Sequence, residues 1–141
     1  MTARTEKLNT LKSLKDVFFA DFTTNFKKHP NTGDLARLTN EEAIKQSIKN
    51  IVLTNAGERL FQPSIGSNIR SYLFEPIDNF TASFLADAIK QTIFNHEIRV
   101  EYLEVDTEAD EDNNHYNVYI SFTAHNKPDV VNVELTLKRL R

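Results

Sequence analysis

The chain has no cysteine and no tryptophan among its 141 residues. Without thiols there are no disulfides, no thiolate metal sites and no cysteine nucleophile. That composition suits a reducing compartment. Without tryptophan, an aromatic-rich sugar cleft loses its usual platform. No run of 18 apolar residues exists, so no membrane span is expected. Arg4, Glu6 and Lys7 are not followed by an apolar segment, which argues against a secretory signal. Ser64 to Asn68 (SIGSN) lacks the glycine and lysine spacing of a phosphate-binding loop. The balance of 17 basic against 20 acidic side chains, net -3, argues against a generic nucleic-acid binder.

What is present suits one domain with a modest core: 40% of residues are hydrophobic, and ten are phenylalanine. Several phenylalanines stand beside polar neighbours, which implies a core plus an apolar contact surface. Residues 1–15 are polar apart from Leu8, Leu11 and Leu14. They read as a flexible arm or one ordered by a partner, preceding a single domain over 16–141. Asp16 to Phe22 reads as extended. His29 to Asp34 is a turn signal, in which Gly33 can take positive φ. Thr39 and Glu42 match a capping box that opens an amphipathic helix through Ile44, Ile48, Ile51 and Val52, with Gly57 as its left-handed cap. Ser67 to Leu73 suggests a short helix. A longer one follows Pro76, capped by Asp78 or Asn79, with Phe80, Phe84, Leu85, Ala88, Ile89 and Ile93 as its apolar stripe.

The period then changes to 2. Ile98, Val100 and Tyr102 alternate with charged residues. Tyr116, Val118, Ile120 and Phe122 form a second strand, and Val131, Val133, Leu135 and Leu137 a third. Asp106 to Asn114 reads as an acidic loop and His125 to Asp129 as a shorter one. The expected class is α+β. Helices would pack on a mainly antiparallel C-terminal sheet in two layers, with an extended N-terminal arm.

Gly57 to Pro76 mixes large apolar groups with glycine, proline and charge. It reads as a compact connector that places Glu58, Arg59, Arg70 and Glu75 at fixed points. Arg59 or Arg70 could clamp Glu75 and set the turn into the long helix. His29, His96, His115 and His125 form no close ligand pair, so no metal or cofactor is expected. Glu58, Glu75, Asp78 and Glu97 are the acids available to a glycosidase-like pair, without any sequence pattern that joins two of them. The last strand of a meander is commonly an edge, and its free backbone groups could accept a strand from another chain.

The segment from Thr32 to Pro76 resembles the small baseplate wedge protein of contractile-tailed phages, a family shared with the type VI secretion baseplate. NEEAIKQSIKNI, GERLFQP, G-x-N-x-R and LFEP carry the resemblance together, and it continues to HEIRVEYLEV. It implies a structural, non-enzymatic virion protein of the tail baseplate, assembled in the host cytoplasm. Its implied partners are other wedge proteins forming a helical core bundle and the tail-sheath protein, with sheath assembly templated at a sheet edge. Some members carry a lysozyme-like label, so a carboxylate-dependent peptidoglycan hydrolase is the alternative. Family members usually have Glu-Pro-Arg where this chain has Glu97-Ile98-Arg99. The resemblance assigns Glu97 and Arg99 to the contact with the core bundle.

Overall fold

The computed structural model describes residues 19–125 and 127–140. The N-terminal arm over 1–15 and the start of the Asp16 to Phe22 segment lie outside them. The described residues fall into two compact units, divided between Ala43 and Ile44. In the first, strand β1 (Ala20–Phe22) pairs antiparallel with β2 (Arg37–Thr39). The turn signal between them closes through the His29 amide donating to the Asp34 carbonyl at 2.7 Å, with Gly33 at φ 73°. Thr39 does not cap the next helix. It is held in the ladder opposite Ala20, and helix α1 (Glu41–Leu53) starts after Asn40, whose φ is 50°.

In the second unit Ile44, Ile48, Ile51 and Val52 of α1 are buried, as their spacing predicts. The helix stops before Gly57. Thr54 takes the Asn50 carbonyl with both its amide and its hydroxyl, at 3.0 and 2.6 Å. Gly57 keeps a positive φ of 85°, but inside a separate turn closed from the Glu58 amide to the Asn55 carbonyl. Helix α2 (Ile69–Tyr72) is one turn long, and α3 (Asn79–His96) is the long helix. Asp78 caps α3 by accepting from the Thr81 amide at 2.6 Å. That amide and the Thr81 side chain hold the Asp78 carboxyl below its usual value.

The apolar stripe of α3 runs through Ala82, Leu85, Ile89 and Ile93, all buried. Each large one contributes about 1.5–3 kcal/mol before the cost of ordering the chain. Phe80 and Phe84 do not belong to it; they are 73% and 47% exposed. At about 100° per residue, the pair falls on the side of the helix opposite that stripe.

The sheet has the order β3-β4-β5, all antiparallel, in β3 (Val100–Asp110), β4 (His115–Ala124) and β5 (Lys127–Lys138). Helix α3 lies against β3. Tyr116, Val118, Ile120 and Phe122 of β4 are buried and stand opposite Leu137, Leu135, Val133 and Val131 of β5. On β3 the same rows continue through Ala109, Thr107, Val105 and Leu103. The expected phase of β3 is therefore inverted at its start. A bulge between Val100 and Tyr102 shifts the register, leaving Tyr102 exposed and Leu103 buried, while Ile98 lies exposed before the strand begins. The acidic loop is also shorter than its composition implies. Asp106 to Asp110 belong to β3, with Asp106 and Glu108 on the solvent face opposite Tyr119 and Asn117, where no like charge meets them. At the far turn Lys127 already pairs with Ala124, so Pro128 and Asp129 lie within β5. Proline is tolerated there because β5 is an edge strand.

Candidate functional site

The connector after α1 is tied down by its own backbone. The Ser67 amide donates to the Thr54 carbonyl at 2.8 Å, and the Ala56 amide to the Ser67 carbonyl at 3.1 Å. The buried Ser67 hydroxyl reaches the Val52 carbonyl at 2.8 Å. Gly66 makes the crossing possible, since a Cβ there would lie 2.7 Å from the Asn55 carbonyl carbon and oxygen. Beyond the crossing, the loop closes on itself through the Gly57 amide and the Pro63 carbonyl at 2.8 Å. Glu58 accepts from the Asn55 amide at 3.0 Å. This ordered loop holds Leu60 and Phe61 almost fully in solvent, 92% and 97% exposed. The connector is compact as the sequence implies, but its two largest apolar side chains at the tip point outward.

Glu58, Arg59, Arg70 and Glu75 are all exposed. Among the described residues no ion pair joins Glu75 to Arg59 or Arg70, so the expected clamp is not formed. The turn into α3 is held from elsewhere. The Tyr116 hydroxyl donates to the Pro76 carbonyl at 3.2 Å, and burial raises that hydroxyl above its usual pKa. The Leu140 amide donates to the Leu73 carbonyl at 2.9 Å.

Glu97 and Arg99 form the most developed polar contact. Glu97 is 4% exposed, and Arg99 forks onto it with Nε–Oε1 and NH2–Oε2 distances of 2.6 Å each. The Arg99 amide adds a bond to Oε1 at 3.3 Å. Burial pushes the Glu97 carboxyl upward. Hydrogen bonds from Arg99 and from the Ser47 hydroxyl, with the Arg99 charge, outweigh it and leave the carboxyl below its usual value. One side chain thus joins α1, the end of α3 and the start of β3. Where the family resemblance puts proline, the exposed Ile98 sits in a turn closed from the Val100 amide to the Glu97 carbonyl at 3.3 Å. Ser47 had no sequence signal beyond its helical position.

Val133 and Leu137 face the core, and Val131 and Leu135 are half-buried. These four candidates fasten β5 inward. Among the described residues β4 is the strand paired with β5, and it lies on one side only, which makes β5 an edge.

Three of the four candidate acids have hydrogen-bond partners of their own. Glu58 is held by Asn55, Asp78 by the Thr81 amide and Glu97 by Arg99. An open groove of about 550 Å³ between α3 and β3 is lined by Phe94, Val100, Tyr102 and Leu103 with Asp87, Lys90 and Glu101. Asp87 and Glu101 are exposed.

Among the described residues, one side of edge strand β5 is not paired with another strand, and the apolar tip of the connector is fully exposed. The chain belongs to the baseplate wedge protein gp25 family, whose model matches residues 38–129. It is 30% identical over 96 residues to baseplate wedge protein gp25 of Enterobacteria phage T4, spanning 68% of this chain and 73% of that one. Its fold is similar to that of a putative tail lysozyme from Geobacter sulfurreducens, with a TM-score of 0.67 at 24% identity over 74% of this chain and 96% of that chain. A chain of the type VI secretion baseplate complex matches with a TM-score of 0.55 at 14% identity, over 67% of this chain and 89% of that one. A chain of the anti-feeding prophage baseplate matches with a TM-score of 0.53 at 17% identity, over 87% of each chain. These three likenesses concern the fold.

Proposed function

We propose that this wedge protein acts by organising partners in the tail baseplate of a virion, assembled in the host cytoplasm, and performs no chemical step. The observation that carries this is the edge position of β5 together with the exposed Leu60 and Phe61, on a chain of the wedge family. The β5 edge offers its backbone to a strand of the sheath protein and so starts the first sheath ring. The tip and the region of Glu97 and Arg99 meet other wedge proteins, including a helical core bundle. Strand addition draws its affinity from main-chain hydrogen bonds, which tolerates divergent side chains.

Proline within β5 tests the edge. Backbone amides alternate between the two sides of a strand, so proline at Asn132 and proline at Val131 strike opposite rows. The variant that keeps the wild-type circular dichroism is expected to produce naked tails on intact baseplates, counted by electron microscopy. Normal sheaths on that variant would move the sheath contact off β5.

A further inference from the structure

We propose that the recess framed by Tyr72, Phe80 and Phe84, with Glu75 in its wall, is a docking site for an arginine side chain of a partner protein. Short helix α2 supplies Tyr72, and the first two turns of α3 supply the phenylalanines. Ser71 and Thr81 complete the lining of a recess of about 370 Å³. Phe80 and Phe84 meet edge to face, with centroids 4.8 Å apart and planes at 88°. An edge-to-face pair covers only one ring face, and both residues remain exposed. They have no packing role in the core, which the stripe of Leu85, Ile89 and Ile93 fills.

The charge of the recess is one-sided. No lysine or arginine lines it, and Glu75 forms no ion pair among the described residues. A purely apolar occupant would bury the Glu75 carboxylate without a partner, at a cost that cancels the gain from the rings. A cation satisfies both features. Ring faces attract a positive charge within about 6 Å of the centroid, arginine most often. A guanidinium can also stack flat on a ring while its fork reaches a carboxylate, which a lysine ammonium cannot do. Arg139, which follows β5, acts on the Tyr116 hydroxyl, so the chain's own tail is the competing source. Identifying the arginine's owner as another baseplate component rests on the function proposed above; the chemistry of the recess does not.

The test uses the full chain and a small probe. N-acetyl-arginine methylamide and the neutral norleucine counterpart are titrated while ring and amide resonances are followed by NMR. Saturable shifts at Tyr72, Glu75, Phe80 and Phe84 are expected, with arginine preferred over norleucine by about fivefold or more. Glu75→Gln and Phe84→Leu should each weaken arginine binding roughly two- to fivefold, with unchanged melting temperature because both side chains are exposed. Equal responses to the two probes, or shifts centred elsewhere, would overturn the proposal. So would arginine affinity that rises several-fold in Arg139→Gln, because the recess would then be held by the chain's own tail. No baseplate enters the measurement, so its failure is separate from a failure to find this chain in baseplates.

Discussion

At Glu97 a single carboxylate carries three connections, to Ser47, to the Arg99 side chain and to the Arg99 amide. Removing one member of a buried pair leaves the other charge uncompensated. Arg99→Ala should therefore destabilise the fold by about 3 kcal/mol, read from urea unfolding. A loss near zero would mean that the pair is solvated. The carboxyl is depressed when folded, so its contribution is fully present above the unfolded value near 4.5 and disappears as pH falls through the folded value. Unfolding free energy of the wild type minus that of Glu97→Gln should shrink as pH is lowered from neutrality to below 4.5. A constant difference would refute the assignment. The spacing Glu97-x-Arg99 was visible in the sequence. Its burial was not, because nothing local says that Ser47 lies across from it.

Among the elements, the connector from Thr54 to Asn68 depends most on backbone geometry. Gly66 sits at φ 146° against the Asn55 carbonyl group. Alanine there meets both a strained dihedral and rigid backbone, so Gly66→Ala should cost at least about 2 kcal/mol. Gly57 has open space around its Cβ position, and Gly57→Ala suffers only its φ of 85°. Thermal unfolding of the two variants should rank Gly66→Ala well below Gly57→Ala. Equal melting temperatures would show that the crossing relaxes. Elements with a regular period were legible in advance: α1, α3, β4 and most of β5. The misread stretches of β3 have two causes. The bulge in β3 inverts alternation within two residues, and the acids of Asp106 to Asp110 look like loop although they occupy only the solvent side of a strand.

At the scale of the molecule, Leu60 and Phe61 are displayed rather than used for folding. Surface substitutions away from packed groups usually change stability by less than about 0.5 kcal/mol. Phe61→Asp should therefore keep the wild-type melting temperature while losing incorporation into baseplates, scored by complementing a strain that lacks this gene. Normal incorporation would leave the tip without a role in assembly.

Composition and periodicity alone determined the α+β class, the three-stranded meander and the helices, because local spacing decides which side of an element can be buried. The quoted motifs carried the family as well. Tertiary structure alone decided which phenylalanines stay in solvent, that Arg59, Arg70 and Glu75 remain apart, and that Glu97 lies inside a three-way junction. Those outcomes depend on which segments meet across long sequence distances. Gly66 crosses Asn55 and Leu140 reaches Leu73, and such meetings are set by the packing of whole elements rather than by the residues on either side.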